Sequence, residues 1–309
     1  MPAPTIARLA HCFLTQEASA YRPRIQKLPL ADPRAVARFY GFAGDPFLGR
    51  AEPELLARLP GYRRVGNALA RAMADGMSPA LLVVPDGMGR EMLPALLGHV
   101  LASSRTELLE LPLEPESSDL VLLKSILREL GAGDFWPDRL GIQPLAELAR
   151  AALLDRARAA GPRPVFLVLA APGLGPEGLR FVKWLAALEV GGRPAANLVL
   201  AGDAGLPAVL RHRDLAGLAS RIYVAELLSP LSGAEIREYL HAKWRRAHAE
   251  RDLFSPEAIA FIHAATGGIW REVDNLAHNA LLAAFNAGKP EVDAQVLAPL
   301  ATLEQKENC

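Results

Sequence analysis

Cysteine is almost absent: Cys12 and Cys309 are the two thiols in 309 residues, and they stand near opposite ends of the chain. Two thiols so placed build no disulfide framework, and the pattern fits a reducing compartment, so a cytoplasmic location is expected. An excess of either charge is missing as well, since 34 Lys and Arg face 34 Asp and Glu. Such a chain exerts no global pull on nucleic acid or an anionic membrane, and only a local basic patch could supply one. No stretch approaches the ~18 consecutive apolar residues of a spanning helix, so no membrane insertion is expected. The segment Met1-Pro2-Ala3-Pro4-Thr5 lacks the basic region and long apolar core of a signal peptide, and none is expected. Metal-ligand spacing is absent among the seven histidines: His241 and His248 share a helix face with no third ligand, and no metal is expected. The pairs Ser103-Ser104 and Ser117-Ser118 lie outside any nucleophile elbow, which leaves a hydrolase without support.

What the chain has is apolar residues, 51% of the total, in an ordered pattern. The length suits one large domain or two ordinary ones with a sizeable core. From about residue 62, strand-like runs alternate with helical ones. Ala80–Val84, Leu108–Leu111, Val165–Leu169 and Asn197–Ala201 read as strands, and Asp119–Leu130, Leu145–Ala160 and Pro176–Leu188 as helices. That alternation predicts an αβα domain with a parallel sheet covered on both faces. From about Leu228 only helices follow. Ser232-Gly233-Ala234-Glu235 reads as a capping box, Ser255-Pro256-Glu257 as a helix start, and Gly267-Gly268 as a stop. A helix from about Trp270 to Phe285 and a short one over Val292–Leu303 complete the reading. The expected division is an arm over 1–37, an αβα core over 38–227, a helical lid over 228–303 and a frayed tail over 304–309. Pro23, Pro29 and Pro33 interrupt the arm. The aromatic stretch Phe39-Tyr40-Gly41-Phe42 with Asp45-Pro46-Phe47 is read either as a staple onto a domain surface or as a plain entry loop.

The segment Val84-Pro85-Asp86-Gly87-Met88-Gly89-Arg90-Glu91 follows the first strand of the sheet and precedes a helical run. Phosphate binds at that place in such folds, through a loop of pattern G-x-x-x-x-G-K-[ST]. Here Val84 replaces the first Gly, Arg90 the Lys and Glu91 the Ser/Thr, while Gly87 and Gly89 keep the inner turn. A carboxylate at Glu91, roughly 4 Å from phosphate oxygens, repels one by about 4 kcal/mol at an effective dielectric near 20. That is roughly a thousandfold in affinity, unless Mg²⁺ or Arg90 neutralises it. Arg90 keeps a positive charge, but its planar fork differs from a lysine point charge and is free to pair with a carboxylate elsewhere. The strand Val165–Leu169 should end in an Asp for Mg²⁺ and a Glu for water, and it ends in Ala170-Ala171-Pro172-Gly173. No other strand-like run ends in adjacent acids. Loss of a positioned base costs a further ~10²–10⁴ in rate. Efficient ATP turnover is not expected, and no cofactor is expected; weak binding of ATP or ADP with Mg²⁺ stays open.

In this order the pieces resemble the AAA+ ATPases of the ExeA/GspA (general secretion pathway A) and TniB-like group, over about Phe39 to Val292. The resemblance implies a P-loop NTPase-like αβα sheet followed by a small helical lid. Phe39–Phe42 with Asp45–Phe47 looks like that family's N-terminal signature. Leu198–Asp203 looks like its sensor-1 strand, which puts Asp203 beside the nucleotide position. Leu215–Ile222 resembles the segment whose arginine faces a neighbouring subunit. That makes Arg221 a candidate arginine finger acting in trans, with Arg213 a second one. Gly267-Gly268-Ile269-Trp270-Arg271 looks like the sensor-2 motif, with Trp270 in place of Pro and Arg271 as its arginine. The departures fall on both nucleotide motifs. Members of the ExeA type also carry a membrane helix and a cell-wall-binding domain, and neither is expected here. The basic run Lys243-Trp244-Arg245-Arg246-Ala247-His248 is read as a phosphate or DNA patch or as a solvated helix face, diluted by Glu250 and Asp252.

The expectation is a catalytically degenerate AAA+ protein, a pseudo-ATPase that serves as a protein-binding assembly or scaffold module, in a ring with an active AAA+ relative or with its own copies, in a secretion or surface-assembly system. The alternatives are an ATP-dependent, DNA-associated regulator resembling transposition helpers, and a divergent but active ATPase.

Overall fold

The computed structural model describes residues 21–25, 31–44, 46–47, 53–101, 107–114, 117–132, 140–159, 163–170, 174–249 and 251–305. In chain order these form β1 (Tyr21–Ile25), α1 (Pro33–Tyr40), α2 (Pro53–Arg58), α3 (Pro60–Ala74), β2 (Ala80–Val83), α4 (Leu93–Leu101) and β3 (Leu108–Leu113). Then come α5 (Asp119–Glu129), α6 (Ile142–Arg158), β4 (Val165–Ala170), α7 (Arg180–Ala186), β5 (Glu189–Val190), β6 (Arg193–Pro194) and β7 (Asn197–Gly202). The rest is α8 (Leu206–Val209), α9 (Ala216–Ala219), β8 (Val224–Leu227), α10 (Gly233–Arg246), α11 (Pro256–Thr266), α12 (Trp270–Asn286), α13 (Ala294–Leu297) and β9 (Ala301–Gln305).

The chain packs as two compact units. One comprises Arg64–Pro85 and Leu93–Leu228. The other comprises Asp86–Met92 with the described residues of Glu17–Arg63 and Ser229–Cys309. The glycine loop and the aromatic stretch therefore pack with the helical unit, although the sequence reading had placed both in the αβα domain.

The first unit is built on a five-stranded sheet of order β3-β4-β7-β2-β8. Every pairing in it is parallel. The central strands β2, β4 and β7 are near-continuous apolar runs because both faces are covered, as parallel sheets require. The edge strand β3 alternates instead: Leu109, Leu111 and Leu113 are buried, and Glu110 and Pro112 are exposed. Pro112 is tolerated there because an edge strand needs fewer ladder donors. Leu122, Leu123, Ile126 and Leu127 of α5 and Leu145, Ala149 and Leu153 of α6 join the sheet residues in one apolar core. The chain leaves β2 for the far edge at β3 and later returns to pair β8 on the other side of β2. That makes the carboxyl end of β2 a switch point of the topology, the place where such sheets bind ligands. β8 was not foreseen, and α7 is shorter than the run Pro176–Leu188, whose first residues form a turn.

The second unit holds helices α10 to α13. The capping box forms as read: Ser232 accepts from the Glu235 N–H, and Glu235 reaches back to the Ser232 N–H. Ser255 caps α11 ahead of Pro256. The aromatic stretch is a staple onto this unit. The Tyr40 hydroxyl donates to Leu281 O at 3.1 Å, Phe42 stacks on Trp244 at 6.2 Å, and Phe47 stacks on His278 at 5.0 Å. Both chain ends depart from the reading. Pro33 does not interrupt the arm; it opens α1, with Asp32 as its cap. The expected helix over 292–303 is only α13, and Ala301–Gln305 is a strand, antiparallel to β1, where a frayed tail was expected from residue 304.

Candidate functional site

The sheet strand β2 ends at Val83, and the Val84 N–H donates to Gly202 O at 2.8 Å. After Pro85 the chain enters the helical unit. Gly87 and Gly89 take φ values of +77° and +83°, the left-handed region that only glycine enters cheaply. A Cβ on Gly87 would lie 2.6 Å from Ile269 Cγ2, and one on Gly89 would lie 2.3 Å from Met92 Cε and 3.7 Å from Trp270 Cε3. The inner glycines are thus used to pack the loop against the head of α12 and against its own turn. The Met88 side chain is fully buried, and its carbonyl oxygen accepts from the Tyr62 hydroxyl at 3.1 Å. Burial raises the Tyr62 pKa far above its ordinary value, and the carboxylates of Glu235 and Glu91 raise it further.

Arg271, in the first turn of α12, holds the loop at two points. Its backbone N–H donates to Gly87 O at 3.0 Å, and its guanidinium pairs with the Glu91 carboxylate. The loop carboxylate Glu91 thus pairs with a cation from 180 residues away in the sequence. Arg90, Glu91 and Met92 form a single 3-10 turn, and the α-helix starts only at Leu93.

Within the αβα unit, Ala170 is buried at the carboxyl end of β4; Ala171 lies outside the described residues. Ala170, Leu174, Gly202, Asp203, Gly205 and Leu206 are among the residues lining a small cleft of ≈ 180 Å³. Among the described residues Asp203 is the one acid in its wall, and that carboxylate accepts the Gly205 N–H at 2.8 Å, within its own turn. Arg221 is held by Gly217 O at 3.3 Å and by Glu189 at 3.6 Å. Arg213 is 90% exposed and lies 3.6 Å from Asp214.

The basic run on α10, read as a phosphate or DNA patch or as a solvated helix face, is divided between core and solvent. Lys243 is 6% exposed, and its Nζ donates to Asp274 Oδ1 at 2.6 Å. The same oxygen accepts from the Tyr239 hydroxyl at 2.7 Å, and the ammonium sits 4.4 Å from the Phe47 ring centre. Trp244 is core, stacked on Phe254 at 5.3 Å. Arg245, Arg246 and His248 reach solvent, and Arg246 lies 3.9 Å from Glu54. Residue 243 falls on the apolar face shared by Ile236, Tyr239 and Leu240, so it points inward, and Asp274 makes its burial tolerable. Among the described residues no group of His, Cys, Asp and Glu could hold a metal ion, and no helix is long and apolar enough to cross a membrane.

No family model matches the chain. General secretion pathway protein A of Aeromonas hydrophila is 30% identical over 258 residues, 82% of this chain. The chain spans 46% of that relative's length. Among solved structures, Cdc6p from Pyrobaculum aerophilum matches with a TM-score of 0.61 at 15% identity, over 81% of this chain and 68% of that one. The Aeropyrum pernix ORC2 protein, in ADPNP-ADP complexes, matches at 0.55 with 14% identity, over 84% and 71%. Drosophila ORC bound to DNA matches at 0.54 with 14% identity, over 94% and 72%.

The fold is that of the AAA+ P-loop NTPases. At these identities the solved structures speak for the fold alone. Within that AAA+ frame, the loop residues do not fit a magnesium nucleotide. The position that should carry a hydroxyl for Mg²⁺ carries the Glu91 carboxylate, and the arginine that could meet a phosphate is already paired with it.

Proposed function

We propose that the chain is a catalytically degenerate AAA+ protein that acts as a protein-binding assembly module in a secretion or surface-assembly system. It forms a ring with its own copies or with an active AAA+ relative, from the cytoplasmic side. One observation carries this reading: Glu91 stands at the Mg²⁺-hydroxyl position of the loop and is paired with Arg271. Ala170 at the end of β4, in place of an acid, supports it. The secretion assignment rests on the likeness to the Aeromonas protein, of which this chain spans about half. No cofactor is needed for the role, and nucleotide binds weakly if at all. Arg221 and Arg213 are the residues through which such a protomer would act on nucleotide held by a neighbour.

The test has two arms. The purified chain is assayed for turnover of magnesium ATP, and its mass in solution is measured alone and with a co-expressed AAA+ ATPase of the same host. No turnover above background together with a mixed ring supports the proposal. Turnover near ~1 s⁻¹, the low end for ordinary enzymes, overturns it.

A further inference from the structure

Arg271 bridges the glycine turn and the last residue of the loop. Its N–H is bonded to Gly87 O, and its guanidinium reaches Glu91, four residues further along. The N–H bond fixes where residue 271 stands, and the 3-10 turn over Arg90–Met92 fixes where residue 91 stands. The carboxylate therefore meets the guanidinium between two anchored segments. A carboxylate and a phosphate present the same oxygen geometry to a guanidinium fork, and each engages it in paired, charge-assisted bonds. Both side chains are about half exposed, 52% for Arg271 and 57% for Glu91, so solvent reaches the pair and an anion in solution can reach it too.

Resting on the proposed function, we infer that Glu91 is an internal occupant of the phosphate position, a carboxylate that shuts a site otherwise still able to bind a nucleoside diphosphate. The pair itself is weak, as half-exposed ion pairs are, so competition for Arg271 is not the main barrier. The barrier is the fixed negative charge beside the incoming anion, and it vanishes when that one charge is removed. The inner glycine turn and Arg271 are both retained beside the carboxylate, a turn of the motif and a cation for an anion to meet. Val84 and Arg90 remain as further departures from the motif, so removing Glu91 yields binding and not turnover.

The experiment titrates the full chain with magnesium ADP, and separately with pyrophosphate, by calorimetry. The proteins are wild type, Glu91→Gln, Glu91→Ser, and Glu91→Gln combined with Arg271→Ala, each checked by circular dichroism. Glu91→Gln keeps the shape and loses the charge; Glu91→Ser restores the motif's own residue type and stands in if the glutamine variant fails to fold. Both single variants are expected to bind ADP and pyrophosphate roughly 5- to 10-fold more tightly than wild type, since solvent screens the half-exposed charge. The double variant is expected to lose most of that gain. A folded Glu91→Gln or Glu91→Ser chain that binds no better than wild type overturns the inference and leaves the proposed function standing. A gain that survives Arg271→Ala overturns the assignment of Arg271 as the group that Glu91 occupies. Turnover by the wild-type chain overturns the proposed function instead, so the two failures are told apart.

Discussion

The Tyr62 hydroxyl donates to the carbonyl oxygen of Met88 across 3.1 Å, and so ties the first turn of α3 to the middle of the glycine loop. Both ends of this bond are buried. The raised pKa of Tyr62 keeps it a donor throughout the working pH range. Tyr62→Phe strands a buried carbonyl and should cost about 1–3 kcal/mol in urea denaturation. An unchanged midpoint would show that water takes over the bond.

Gly87 and Gly41 both take a positive φ, +77° and +78°, but in different surroundings. A Cβ on Gly41 meets nothing within 4 Å, whereas one on Gly87 lands 2.6 Å from a methyl of Ile269. Ile269 is β-branched and cannot swing aside easily. Gly41→Ala should therefore cost about 1 kcal/mol, for the left-handed backbone alone. Gly87→Ala should cost about 1–3 kcal/mol more, through overpacking. Equal melting temperatures for the two variants would contradict the close packing of the loop.

The pair Lys243–Asp274 predicts an asymmetry. The lysine side chain is 7% exposed and the aspartate 25%, so the lysine depends more on its partner. Asp274→Ala leaves a buried ammonium without a counter-charge and should cost about 3–5 kcal/mol. Lys243→Met leaves Asp274 partly solvated and still bonded to Tyr239, and should cost clearly less. Denaturant midpoints of the two variants decide it, and the reverse order would refute the burial argument.

Glu235 gives a pH dependence. Burial would raise its carboxyl, but hydrogen bonds from the Ser232 N–H, the Gly61 N–H and the Ser232 hydroxyl outweigh that and hold its pKa below the ordinary 4.5. A carboxyl with a lowered folded pKa adds stability that is complete above the unfolded value and lost as pH falls through the folded one. Glu235→Gln should lower the melting temperature at pH 7 and lose that effect on acidification below 4.5. Glu257 and Asp293 are lowered too, so the readout is the difference between wild type and variant, not the wild-type profile. A difference that stays constant from pH 7 down to about 3 would rule the linkage out.

Central elements were legible because their signals are local. Val165–Leu169 and Asn197–Ala201 are apolar runs of strand length, and Ser255-Pro256 carries its cap within three residues. What stayed hidden is nonlocal. β8 mixes Glu226 with apolar residues because it lies at the sheet edge, where Arg64 pairs with that glutamate at 2.7 Å. β1 and β9 come from opposite ends of the chain, and neither run announces its partner. Lys243 reads as surface until Asp274 is known. Pro33 was taken for a breaker although Asp32 before it marks a helix start. At the candidate site the replacements at Val84, Arg90 and Glu91 were plain in the sequence. The hold of Arg271 on Gly87 and Glu91 was not, since it joins residues far apart in the chain.

The path of the chain between its two units has a practical consequence. Asp86–Met92 is claimed by one unit while Pro85 and Leu93, on either side, belong to the other, and the boundary between Arg63 and Arg64 falls inside α3. Expression of residues 1–228 would leave Gly87 and Glu91 without Arg271, and residues 229–309 would start life without the segment they enclose. The molecule cannot be dissected by choosing end points. Any fragment used to map its partners has to be an excision with a graft, or the whole chain.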